Sequence, residues 1–204
     1  MISIKVGGCC VDILPFVSGL QSEAEKVRSA YGKHEAYGIA MSIEGIQALE
    51  CRADLDDDAF AVGELDLVYA DKMGRFGTVE MPSPAACALI DLCKESGSRP
   101  IPLDMDEAEF TELYCDTVKT LDFVREHRHA KKGMKKSFEA DTPEDLAKEW
   151  DRFVNEIDSY RAVSKKREEY IAEQIRDVSK YRKSLLALLE VERCDGVVAL
   201  LEKT

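Results

Sequence analysis

Tyr37-Gly38-Ile39-Ala40-Met41-Ser42-Ile43 decides the reading of this chain. Five residues of short apolar run suit a strand. Ser42 then offers a side-chain oxygen to cap a helix that carries Ile43, Ile46 and Leu49 on one face. A strand that runs straight into a capped helix is the repeating unit of α/β folds. Upstream, Ile2, Ile4 and Val6 alternate in a strand over 2–7, which Gly7-Gly8 breaks. Asp12 reads as the cap of a helix reaching about Tyr31, with Val17, Leu20, Ala24, Val27 and Tyr31 as its stripe.

Downstream, Leu65-Asp66-Leu67-Val68-Tyr69 reads as a strand and Thr78-Val79-Glu80-Met81 as a short returning one, with Gly74 and Gly77 marking a turn. Ser83-Pro84 starts a helix that ends near Gly97. Pro100-Ile101-Pro102-Leu103 is extended, and its prolines place it at a sheet edge. The order β-α-β-α-β-β-α-β predicts an α/β fold, a mainly parallel sheet flanked by helices, over residues 1–104.

Residues 105–204 change character and read as a helical extension packing on that sheet within one compact domain. Asp106 and Glu109 form a capping pair ahead of a helix from Phe110 to Val124. Thr142-Pro143 opens another, with Leu146, Trp150, Phe153, Val154 and Ile157 as its stripe. A long helix or helix pair covers 159–190. After Asp195-Gly196, residues 197–201 (Val-Val-Ala-Leu-Leu) are expected to return one strand.

Twenty-eight Lys and Arg against 40 Asp and Glu give a formal net charge of −12, so phosphate backbones are repelled and no nucleic-acid partner is expected. No apolar run is long enough to span a membrane, and the N-terminus is no signal peptide, so a cytoplasmic location is expected. Seven cysteines without a CxxC pair argue against a disulfide framework. Metal ligation finds only weak candidates in Cys9 and Cys10. His127 and His129 lie two apart and cannot face one way on a helix. The basic residues between Arg125 and Lys136 read as a solvated loop, or as an anion or acidic-partner patch. Asp54 to Asp58 lacks the glycine and distal glutamate of a calcium loop.

Lys166-Arg167-Glu168-Glu169-Tyr170-Ile171-Ala172 places Arg167, Tyr170 and Ile171 on one helix side. A half-buried arginine there needs a carboxylate partner. With its surroundings the segment resembles the TraB/PrgY (GumN-like, Tiki-related) family, whose members carry a helix close to E-R-D-x-x-M-A. Ile101-Pro102-Leu103-Asp104-Met105-Asp106 is similar to that family's I-D-R-D-like turn, and Val6-Gly7-Gly8-Cys9-Cys10 stands where the family has G-T-x-H. The resemblance implies a hydrolytic or metal site. It also exposes departures: Cys10 replaces the turn histidine, only Glu44 supplies an acid after the second strand, and a chain ending at Thr204, three residues past Leu201, leaves no room for a G-x-G-H turn after the last strand.

These readings predict a shortened, divergent, non-catalytic α/β domain that binds a small ligand or a protein partner. Gly7, Gly8, Cys10, Glu44 and Arg75 are the candidate ligand-binding residues. No cofactor is named by the sequence. Trp150, Phe153, Tyr160, Tyr170 and Tyr181 are candidates to pair across a homodimer. The alternatives are a TraB-like hydrolase at the strand C-terminal ends and a cysteine-based metal or redox module on Cys9-Cys10. The hydrolase would use Asp104, Asp106 and Arg167, with Asp71 nearby.

Overall fold

The chain's most apolar run, Ser184-Leu185-Leu186-Ala187-Leu188-Leu189-Glu190, is the centre of the sheet and not the end of a helix. The computed structural model describes residues 1–55 and 63–203. Among them, β1 (Ile2–Val6), β2 (Cys9–Phe16), β3 (Ala36–Ile39), β4 (Ile101–Pro102) and β5 (Ser184–Glu190) form one sheet in the order β1-β2-β5-β3-β4. β2, β5, β3 and β4 are parallel, and β1 is added antiparallel at one edge through the Gly7-Gly8 hairpin. β4, with Pro102, is the opposite edge, as expected of a residue with no N–H to give.

β5 explains both layers of core. Leu186 and Leu188 face a cluster with Phe16, Tyr37, Ile39, Leu89 and Ile90. Leu89 and Ile90 come from α4 (Pro84–Ser96), and the same cluster takes Val27 from α1 (Glu23–Ala30) and Ile46 and Leu49 from α2 (Ile43–Glu50). Leu185, Ala187 and Leu189 face Val11, Ile13, Ile171, Ile175, Cys194 and Val197 on the other side, supplied largely by α8 (Asp158–Ser179) and α9 (Val191–Leu201). A strand buried on both faces is apolar at every position, so it shows neither period 2 nor period 3.6. The fold class is α/β with a long helical C-terminal portion.

A third cluster caps the C-terminal ends of β2 and β5. Val17 and Leu20 from the segment after β2 meet Val68 and Met73 of α3 (Glu64–Met73), Ala130 of α6 (Thr120–Lys135), Phe138, and Leu146, Trp150 and Phe153 of α7 (Pro143–Val154). α5 (Glu107–Thr117) packs on α8.

Several expectations are corrected. Residues 9–16 are strand. Asp12 caps nothing; it accepts the Ser3 hydroxyl and pairs with His34 Nε2 at 2.8 Å. Residues 65–69 are helix, because Leu65, Val68, Tyr69 and Met73 also fit helical spacing and Leu67 is left in solvent. Only a single bridge, Leu20 to Val79, stands where a returning strand was expected. The helix from Phe110 to Val124 is two helices, broken at Val118-Lys119, where Asp122 accepts the Lys119 N–H at 3.0 Å. Arg125 to Lys135 is not a loop but part of α6, and Arg125, His127 and Lys132 face carboxylates of Asp122, Glu64 and Glu156. Residues 197–201 are helix, so the strand returned by the C-terminal half is β5. Gly196 sits inside α9, because a Cβ there would collide with the Glu168 carboxylate. Trp150 and Phe153 are core residues, whereas Tyr181 is exposed, so the aromatic stripe does not form one free face. Of the acidic stretch, Asp54 ends a short 3₁₀ turn, and residues 56–58 lie outside the described residues.

Candidate functional site

β5 runs directly into α9 without a loop. That junction places Glu190 at the last strand position and Glu192 in the first helical turn. Both carboxyl groups line a cavity of about 440 Å³ at the C-terminal ends of β2 and β5. Ser18 and Gly19 follow β2 at its base. Leu65, Asp66 and Tyr69 come from α3, Trp150 and Asp151 from α7, Arg167 from α8 and Arg193 from α9. Open parallel sheets bind ligands at this end of their strands.

The two arginines are already committed. Arg167 Nε donates to Asp104 Oδ2 at 2.8 Å, its Nη2 donates to the same oxygen, and Glu190 Oε2 stands 3.8 Å from Nη2. Asp104 is 8% exposed and also accepts the Met105 N–H through Oδ1 at 2.9 Å. Arg193, 4% exposed, donates to Glu168 Oε1 at 2.9 Å and to Asp151 Oδ1. Burial works against the charge of Arg167, but Glu190 and Asp104 outweigh it and hold the guanidinium firmly protonated. Burial lowers Arg193 only to about 10, so it stays charged at neutral pH.

The glutamates are different. Burial first, and Asp104 second, raise Glu190 above the ordinary carboxyl range against the pull of Arg167. Burial, reinforced by Glu190, pushes Glu192 up to about 8. Oε2 of Glu192 is inaccessible to solvent and, among the described residues, has no hydrogen-bond partner. A buried oxygen of this kind costs about 1–3 kcal/mol until something satisfies it.

Of the residues singled out from sequence, Asp104 and Arg167 meet as an ion pair at the chamber's edge. Asp106 does not join them. It caps α5 by accepting the Glu109 N–H at 2.8 Å, while Glu109 returns the bond. Glu44 accepts the Glu107 N–H at 3.3 Å and so steadies the same helix start. Arg75 donates to the Phe138 and Ala140 carbonyls, at 3.2 and 2.8 Å, and ties α3 to the chain before α7. Asp71 is an exposed surface carboxylate near Lys72. Gly7, Gly8 and Cys10 lie at the start of β2, the opposite pole of the sheet. Cys9 and Cys10, adjacent on a strand, point to opposite sides, Cys9 buried and Cys10 exposed. Burial raises the Cys9 thiol, which disfavours the thiolate a metal or redox role requires. Among the described residues no group of three His, Cys, Asp or Glu side chains is arranged to hold a metal ion.

Glu190, Glu192 and Arg193 are the chamber residues that sequence reasoning missed. The signal was present as Glu-Val-Glu-Arg closing an apolar run, but it points to a site only once 184–190 is known to be a strand. The same assignment moves the turn after the last strand to residues 190–193, which contain neither glycine nor histidine. A larger groove of about 750 Å³ lies beside α1 and α4, but its charges pair among themselves: Arg28 with Glu25, and Arg52 with Asp91. No protein-family model, curated protein or solved structure matches this chain.

Proposed function

We propose that this chain is a non-catalytic α/β domain that binds a small organic molecule in the chamber at the C-terminal ends of β2 and β5. The observation that carries this reading is a cavity of about 440 Å³ at the strand C-terminal ends whose lining includes Glu190 and Glu192, a carboxyl pair drawn together where β5 runs into α9. The volume falls in the range of small-molecule sites, about 300–1,000 Å³. The commitments of the arginines support the non-catalytic reading. A cation stabilises developing negative charge only when it is free to aim at it. Here Arg167 is spent on Asp104, and Arg193 on Asp151 and Glu168.

The test is a small-molecule screen read by backbone-amide NMR. Binders should shift the amides of Ser18, Gly19, Ala70, Val79 and Glu192 together, with little change at Gly7 or Lys183. Binders that perturb only other surfaces would sink the reading.

A second reading rests on the same two glutamates. A carboxyl group titrating near 8 is protonated at neutral pH and suits a general acid, with Glu190 as its basic neighbour. This is the form a TraB-like hydrolase with an altered site would take. It requires turnover in a hydrolase substrate panel that E190Q and E192Q each reduce by about 10²-fold or more. No turnover by the parent protein removes it.

A further inference from the structure

We infer that the chamber's ligand carries an ammonium or similar organic cation, seated between the Glu190–Glu192 carboxyl pair and the rings of Tyr69 and Trp150. This rests on the chamber being a ligand site, as proposed above, and adds the ligand's chemical class.

Charge decides it. The cavity lining presents four carboxyl groups, Asp66, Asp151, Glu190 and Glu192, against two guanidinium groups, Arg167 and Arg193. Both guanidinium groups are held from behind by further carboxylates, Asp104 and Glu168. Even with Glu192 protonated, acidic groups outnumber the two guanidinium groups in the lining, so an anionic ligand would find, among the described residues, no cation that is not already paired. A neutral ligand would gain nothing from that acidic excess. An ammonium in the chamber donates to the Glu190 and Glu192 carboxyl groups that line it. The wall suits it as well. The Tyr69 and Trp150 rings lie 6.2 Å apart, tilted by 49°, and both line the cavity. An aromatic face within about 6 Å attracts a cation, most strongly when it is sheltered from water.

Glu192 holds a proton that the ligand displaces. Glu192 interacts with Glu190 from β5, Arg167 from α8 and Tyr69 from α3, shares the lining with Asp66, Asp151 and Arg193, and is neutral below about pH 8. An incoming ammonium pairs with the carboxylate, and the carboxyl proton leaves to solvent. Below pH 8, affinity for an amine therefore rises with pH, while affinity for a neutral ligand does not.

Trp150 is the only tryptophan in the chain, so its fluorescence reports directly on the chamber. The experiment titrates the full chain with benzylamine, benzyl alcohol and benzoate, three molecules of one shape and three charges. Benzylamine should bind at least tenfold more tightly than the alcohol, and benzoate should not saturate. Benzylamine affinity should be roughly fifty-fold weaker at pH 6 than at pH 8. E192Q should lose most of that pH dependence. E190Q, or the pH profile of the parent alone, serves if E192Q does not fold. Equal binding of alcohol or benzoate overturns the cation and leaves the chamber as a site of other chemistry. Silence towards all three also overturns the cation, and the NMR-mapped screen then decides separately whether the chamber binds anything.

Discussion

Glu192 carries a carboxyl oxygen whose burial is unanswered among the described residues. Its folded-state value of about 8 lies well above the ordinary glutamate range, so the folded chain holds a proton that the unfolded chain has released. Below about pH 4 both states hold it and nothing is lost. Between about 5 and 8 the unfolded state gains with each step, and stability falls as pH rises. E192Q removes the titration. Its stability advantage over the parent should widen across that window by up to about 1.4 kcal/mol per pH unit, measured by urea unfolding at fixed pH. A gap independent of pH would contradict the assignment. The neighbouring pair behaves oppositely. Asp104 satisfies Arg167 at two nitrogens, so D104A strands a half-buried guanidinium and should cost about 2–4 kcal/mol. Replacing both partners by apolar residues should cost clearly less than D104A, because no stranded charge remains.

At the scale of elements, β5 does the most with the least distinctive sequence. Leu186 and Leu188 are fully buried toward α1 and α4, and Leu185 and Leu189 toward α8 and α9. L186A or L188A should cost about 2–5 kcal/mol, more than any truncation on the exposed face of α6, where Leu121 is 70% exposed. Gly38 sets the spacing at the other side of the sheet. A Cβ there would stand 2.7 Å from Leu103 Cδ1 and 2.9 Å from its Cγ. G38A should therefore cost about 1–3 kcal/mol, and trimming Leu103 in the same chain should recover part of it, a coupling that a double-mutant cycle measures. Gly196 has the matching role on α9, where its missing side chain admits Glu168 to Arg193. That explains why Asp195-Gly196 reads as a break in the sequence and is helix in the fold.

For the whole molecule, the central strand arrives last. β2 and β3 flank β5 and make no ladder with each other. A chain ending at Tyr181 keeps four of the five strands yet has no sheet centre. It should lack a cooperative unfolding transition and dispersed NMR signals, whereas removal of Lys203 and Thr204 should leave both intact. A folded, cooperative 1–181 fragment would show that β5 is not the organising element. The same topology places the Arg167–Asp104 pair and the Glu190–Glu192 pair side by side, although 63 residues separate Asp104 from Arg167.

The sequence by itself determined the α/β class, the capped helices at Ser42, Asp106 and Thr142, the edge position of Pro102, and the need of Arg167 for a carboxylate. Each of these is a local matter of spacing, capping oxygens or a missing N–H, and each is found in the structure. Only the tertiary structure decided that Ser184–Glu190 is the middle strand, that residues 9–16 are strand despite Asp12 and Pro15, and that Glu190 and Glu192 face the chamber. A strand covered on both faces loses the alternation that marks strands, so its identity depends on neighbours distant in sequence. The candidate site inherits that dependence, because its two glutamates acquire their meaning from the strand end on which they stand.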